Sequence, residues 1–183
     1  MNPPQRLNLG CCDRRFPGFV NVDRIPPADF VADLEAPWPW QDSTVAEIRA
    51  YDVIEHIGDC DHVIPEFCCE RCGPRRQKPN GDSLPYRAHD GRIHVMNEAW
   101  RILKRDGLFD IEVPTTDGMG AWQDPTHRTF WNRNSFLYYT AGDPHRERFD
   151  GLYGVKARFN VVGENLIRLP GVVKLKIQLR AVK

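Results

Sequence analysis

Short apolar runs alternate with polar, turn-forming stretches along the first third of the chain. Each of the first three runs stops on a small or acidic residue. Residues 6–9 predict a strand ending at Gly10, residues 19–22 a strand ending at Asp23, and residues 30–32 a strand ending at Asp33. Ala36-Pro-Trp-Pro-Trp40 reads as a turn, because its two prolines forbid helix. Residues 43–47 predict a short helix, and residues 47–53 a fourth strand that runs into Glu55 and His56. From 92 to 103, Ile93, Met96, Trp100 and Leu103 recur at helical spacing, with Glu98 on another face. Arg105-Asp-Gly107 stops that helix, and residues 108–113 form a fifth strand ended by Pro114. After an aromatic and polar stretch over 115–140, the tail predicts strands at 158–162 and 172–182. Lys174-Leu-Lys-Ile-Gln-Leu-Arg180 alternates strictly, as a half-buried antiparallel strand does. Strands alternating with helical patterns predict an α/β fold in one domain over residues 1–183.

Residues 58–91 break this rhythm. They carry four Cys, four Pro and the polar run Pro74-Arg-Arg-Gln-Lys-Pro-Asn-Gly-Asp82, so they read as an excursion from the core, partly loop. Cys69-x-x-Cys72 has metal-ligand spacing. With Cys60 and Cys68 it offers a zinc set, and His62, His89 and His94 are further donors. The alternative is a loop of reduced cysteines. Arg71, Arg75, Arg76 and Lys78 make the segment locally basic, suited to a phosphate-bearing partner or simply to solvent. Charge over the whole chain is balanced, 25 basic against 25 acidic residues, and gives no general reason to bind nucleic acid or an acidic membrane. No apolar run approaches the roughly 20 residues that span a bilayer, and no signal-peptide pattern opens the chain. The expected location is cytoplasmic, where cysteines are thiols or metal ligands.

The three strand ends suit a nucleoside. Ligands of open α/β sheets bind beyond the carboxyl ends of the strands. Gly10 permits a tight turn and a close approach, Asp23 can accept from two ribose hydroxyls, and Asp33 can accept from an exocyclic amine. Each position alone is more often plain turn chemistry; it is the three in order, at the ends of consecutive strands, that point to a nucleoside.

Leu7-Asn-Leu-Gly-Cys11 followed by Phe19-Val-Asn-Val-Asp23 resembles the first two motifs of class I S-adenosylmethionine-dependent methyltransferases. Within them it is most similar to small methyltransferases that read LNLGCG…PGFVNVD. The likeness continues through Ala32-Asp-Leu34, Tyr51-Asp-Val-Ile-Glu-His-Ile57, Asn97-Glu-Ala-Trp-Arg-Ile-Leu-Lys104 and Gln123-Asp-Pro-Thr-His127. It implies a Rossmann-like sandwich, mostly parallel with an antiparallel C-terminal strand, that binds S-adenosylmethionine. Leu9, Gly10 and Cys11 would pass under the methionine part, Asp23 would hold the ribose, and Asp33 and Leu34 would border the adenine. Asp52 would face the cofactor's amino-acid end or an unidentified acceptor. Two features depart from the pattern. Gly10-Cys11-Cys12 stands where the family has Gly-Cys-Gly, and the short connection to Asp23 leaves room for at most one helical turn, around Asp13 to Arg15.

Methyl transfer asks a protein to align the acceptor, exclude water and, for some acceptors, remove a proton. His127, Asp124 and His56 are candidate bases, with Asp52 beside them; His127 and Asp124 are alternatively loop-fixing hydrogen-bond partners. Glu55 suits the start of a helix after the fourth strand, where the helix dipole favours an acid. Trp38, Trp40, Trp122 and Trp131 either line a pocket or fill the core, and Trp100 is expected in the core. The competing functions are a non-catalytic binding module on the same fold and a zinc-dependent nucleic-acid-binding protein built on residues 60–94.

Overall fold

The computed structural model describes residues 5–58, 90–149 and 152–183. Seven strands form one sheet in the order β3-β2-β1-β4-β5-β7-β6. They are β1 (Gln5–Leu9), β2 (Val20–Asp23), β3 (Phe30–Val31), β4 (Val45–Tyr51), β5 (Leu103–Pro114), β6 (Phe159–Leu169) and β7 (Val172–Ala181). The first five run parallel, and β7 lies antiparallel to both β5 and β6. This is the expected mixed α/β sheet. No helix among the described residues is long and apolar enough to cross a membrane.

Register sorts the side chains into two faces. Leu7 and Leu9 of β1 stand beside Ile48 and Ala50 of β4, which stand beside Phe109 and Ile111 of β5; Ile111 in turn meets Ile177 of β7. All are at most 1% exposed. Helix α1 (Gly91–Ile102) joins the same apolar cluster through Val95, Met96, Ala99 and Ile102. The opposite face is polar. Arg6 donates to Glu47, Tyr51 to Asp110 at 2.5 Å, and Lys174 to both Asp52 and Glu112 at 2.6 and 3.2 Å. Phe16 and Phe19 lie over this face, with Arg49 stacked on Phe19 at 4.3 Å.

Several expectations change in detail. Residues 43–44 do not begin a helix. Ser43 takes a positive φ, and the Ser43 and Thr44 N–H groups donate to the carbonyls of Arg101 and Ile102, which the end of α1 leaves without helical partners. The buried stripe of α1 is turned from the expected one. Ile93 and Trp100 flank it, and Leu103 already belongs to β5. The helix therefore ends before Arg105-Asp-Gly107, which bulges out of β5: Val45 pairs with Leu103, yet Glu47 pairs with Leu108. Between β1 and β2 there is a turn rather than a helix. Two buried asparagines do its hydrogen bonding. Asn8 Nδ2 donates to Arg14 O and to Asn21 Oδ1, and Asn21 Oδ1 also accepts from Phe16 N. The tail strand expected over 158–162 extends to Leu169 and turns through Gly171 into β7.

Candidate functional site

The parallel strands bring Gly10, Asp23 and Asp52 to one end of the sheet: Asp23 is the last residue of β2, and Gly10 and Asp52 directly follow β1 and β4. Gly10 has φ +59°, and a Cβ there would lie 2.5 Å from Val53 Cγ2, so the turn requires glycine on two counts. The space beside its Cα is thus filled by Val53 and not reserved for a ligand. Cys12, where the family pattern has its second glycine, takes φ +42°. Its N–H donates to Asp23 Oδ2 at 2.8 Å, while Asp23 Oδ1 accepts from Arg24 N at 2.7 Å. Oδ1 also accepts from Ile25 N at 3.4 Å, whereas Oδ2 has one donor and so keeps a lone pair for a hydroxyl. Leu9 and Cys11 are buried, 1% and 2% exposed, and can reach a ligand only through their backbone. Burial, then the charge of Asp23, pushes the Cys11 thiol up, so it stays neutral. These groups fit the sugar and chain of a nucleoside cofactor.

Asp33 and Leu34 follow β3. Asp33 Oδ1 accepts from Glu35 N, and Oδ2 lies 3.8 Å from Arg24. The Leu34 side chain is in the core, and its carbonyl accepts from Trp38 Nε1 and His94 Nε2, both at 3.1 Å. His94 is thereby a brace for this loop. Asp52 takes φ +57°, and its carboxylate pairs with Lys174 of β7, a partner no local pattern suggests.

Beyond Asp52 the chain makes a 3₁₀ turn, Ile54–His56, that buries Glu55. Glu55 is 2% exposed, and among the described residues neither carboxylate oxygen has a hydrogen-bond partner. Burial pushes its pKa up to about 8. Glu55 does open a helical turn, as expected, but the turn is a single 3₁₀ one and its carboxylate is buried. The Glu55 carbonyl accepts from Arg128 N and Thr129 N at 2.8 and 2.9 Å, which clamps the 124–129 segment against the turn. That clamp carries His127 to Glu55: Nε2 lies 4.0 Å from Glu55 Oε1 and 3.8 Å from Asp124 Oδ2. His127 Nδ1 donates to Ala121 O at 2.9 Å, which leaves Nε2 as its lone-pair nitrogen. Asp124 Oδ1 accepts from Thr126 N and Oγ1. The His56 ring is 4.8 Å from that of His127, centroid to centroid, with Nδ1 against Thr126 O and Oγ1. The sequence points to His127, Asp124 and His56 as candidate bases and sets Glu55 beside His56 just beyond Asp52, but gives no sign that Glu55 is buried. Its burial depends on a segment far along the chain, and no local signal announces that.

The tryptophans divide. Trp38, Trp40 and Trp131 are core, and Trp100, partly buried, packs against it and donates to Val182 O. Trp122 is 59% exposed and stacks on Phe130 at 4.4 Å, on the segment that carries His127. The proposed zinc ligands Cys60, Cys68, Cys69 and Cys72 lie outside the described residues, as does the basic run beside them.

No protein-family model and no curated protein sequence matches the chain. Solved structures do. A methyltransferase dependent on S-adenosylmethionine from Methanosarcina mazei superposes with a TM-score of 0.56 at 9% identity, over 100% of this chain and 94% of that one. The Burkholderia thailandensis 1,6-didemethyltoxoflavin-N1-methyltransferase, solved with S-adenosylhomocysteine, gives 0.52 at 12%, over 99% and 72%. A chain from the complex of the Haloferax volcanii Trm112 methyltransferase activator with a methyltransferase gives 0.52 at 14%, over 98% and 83%. With the strand order β3-β2-β1-β4-β5-β7-β6, these likenesses establish that the chain has the fold of the class I S-adenosylmethionine-dependent methyltransferases.

Proposed function

We propose that this protein binds S-adenosylmethionine and directs its methyl group to an acceptor at the His127 end of the site. The observation that carries the reading is the delivery of Gly10, Asp23 and Asp52 to the carboxyl ends of three adjacent parallel strands, where this fold binds its ligands. When bound, the cofactor supplies a methyl group already activated on a sulfonium, so the protein need not generate an electrophile. The backbone of Leu9, Gly10 and Cys11 lies under the methionine part. Asp23 accepts from a ribose hydroxyl, and Asp33 and Leu34 border the base. Asp52, anchored by Lys174, fixes the boundary between cofactor and acceptor. His127 Nε2 is the proton acceptor: Ala121 O fixes its tautomer, and Asp124, 3.8 Å away, stabilises the imidazolium that results. Trp122 and Phe130 offer an apolar surface beside it.

Calorimetric titration with S-adenosylmethionine and S-adenosylhomocysteine tests the reading. Saturable micromolar binding is expected in the wild type, and at least a tenfold loss, about 1.4 kcal/mol, in Asp23→Ala. A folded protein that binds neither compound at millimolar concentration would overturn it in favour of a non-catalytic module on this fold.

A further inference from the structure

Glu55 has no assigned use in methyl transfer, and it is costly as it stands. An isolated ionised carboxylate is expelled from an apolar interior unless it keeps its proton or meets a cation. At 2% exposure, with no hydrogen-bond donor to either oxygen among the described residues, the Glu55 carboxylate is left without a balancing partner. What faces it is a pair of imidazoles. One ligand atom each from Glu55, His56 and His127 lie within 4.8 Å of one another. Both rings also set Nδ1 against a backbone carbonyl: His127 Nδ1 on Ala121 O at 2.9 Å, and His56 Nδ1 near Thr126 O at 3.3 Å. Metal-ligating histidines are commonly held this way, because the second hydrogen bond fixes the tautomer that presents a lone pair. The surrounding charges are Asp52 and Asp124 on the acidic side and Lys174 on the basic side, so the neighbourhood favours a cation.

We propose that Glu55, His56 and His127 bind a divalent first-row transition-metal ion, with Asp124 in its outer shell. Two imidazoles and one carboxylate suit borderline ions such as Zn²⁺, Co²⁺ or Fe²⁺, and are a poor match for Ca²⁺ or Mg²⁺. Three protein ligands leave at least one coordination position open. A zinc centre with bonds of about 2.0–2.1 Å places its ligand atoms about 3.3 Å apart, so the widest pair must close by about 1.5 Å. Side-chain rotation of His56, at the edge of the cluster, supplies that movement. The site is separate from the cysteine cluster and goes beyond the methyl-transfer reading. At His127 Nε2 the two are alternatives, because an ion there takes the lone pair that otherwise accepts a proton.

Co²⁺ titration of the full-length chain, freed of metal beforehand, tests the site. Cys60, Cys68, Cys69 and Cys72 are replaced by Ser in a parallel sample to remove thiolate binding. One equivalent of Co²⁺ is expected in both samples, with visible ligand-field absorption and no thiolate charge-transfer band. Glu55→Gln and His127→Ala, checked as folded by circular dichroism, should each weaken binding about 100-fold or more, beyond the loss of an outer-shell partner. Should either variant unfold, proton NMR of the Co²⁺ wild type decides, through two paramagnetically shifted, exchangeable imidazole N–H signals. Binding that disappears with the cysteines, binding undiminished in Glu55→Gln, or the absence of shifted imidazole signals would overturn the proposal. Cofactor titration of the metal-free protein is read separately, so failure of one reading leaves the other standing.

Discussion

Three residues at the carboxyl end of the parallel strands, Gly10, Cys12 and Asp52, adopt backbone conformations that L side chains resist, and only one of them is glycine. Gly10 is legible in the sequence as a turn residue. That it also makes room for Val53 is not, because Val53 reaches it from the turn after the neighbouring strand β4. Cys12 sits at φ +42° with an exposed side chain, so its strain is not offset by burial. A left-handed conformation costs an L residue about 1–2 kcal/mol, and glycine gives back part of that gain as unfolded-state entropy. Cys12→Gly should therefore raise stability by about 0.5–1 kcal/mol in a urea denaturation series while keeping the hydrogen bond from residue 12 N to Asp23. No gain would mean that residue 12 is held by something other than local backbone preference. Glu55 shows the opposite limit of local reading. Its neighbours in sequence suggest a helix start, whereas its environment is made by the 124–129 segment folding onto it through Arg128 N and Thr129 N.

At the scale of elements, the strand ends were readable because an apolar run halted by Gly or Asp must turn there in any α/β sheet. The helix was readable in extent but not in orientation. Its buried stripe turned because Glu98 faces the loop after β3, holding Trp38 N at 2.7 Å and the guanidinium of Arg101, while Arg101 reaches the carbonyls of Trp38 and Trp40. A charged pair thus fastens the 34–40 loop to α1, where periodicity alone leaves Glu98 unassigned. Burial pushes the Glu98 carboxyl up, but the hydrogen bonds from Arg101 and Trp38 outweigh it and hold it below its ordinary value of 4.5. A carboxyl with a depressed folded-state pKa adds stability that is complete above its unfolded value and lost as pH falls through the folded one. Glu98→Gln should accordingly lose about 1–3 kcal/mol at pH 7. The gap between variant and wild type should close as pH drops below about 4.5, where the wild type gives up the same contribution. A gap constant from pH 7 to pH 3 would show that the variant acts through packing rather than through the charge.

At the scale of the whole molecule, the seven strands form a single sheet, and the described residues put its apolar core on one face. The connections β1–β2 and β2–β3 contain no helix, and the face they would cover carries Arg6, Glu47, Arg49, Tyr51, Asp110, Glu112, Lys174 and Lys176, paired among themselves. The brevity of those connections is visible in the sequence; that paired polar side chains, with Phe16 and Phe19 over them, take this face follows only from register. The strict alternation of Lys174-Leu-Lys-Ile-Gln-Leu-Arg180 supplies one strand of that face, and its pairing with β5 aligns the rest: Gln178 stands opposite Asp110, and Ile177 opposite Ile111. Because side chains alternate with period two, a slip of one residue would exchange the faces wholesale. Adjacent residues of β7 should therefore differ sharply. Ile177, 1% exposed among Phe109, Ile111 and α1, should cost about 2–4 kcal/mol when cut to Ala. Gln178→Ala, on the polar face, should stay within about 0.5–1 kcal/mol. Equal losses at the two positions would mean that the second face is also packed, and that the molecule has two apolar faces instead of one.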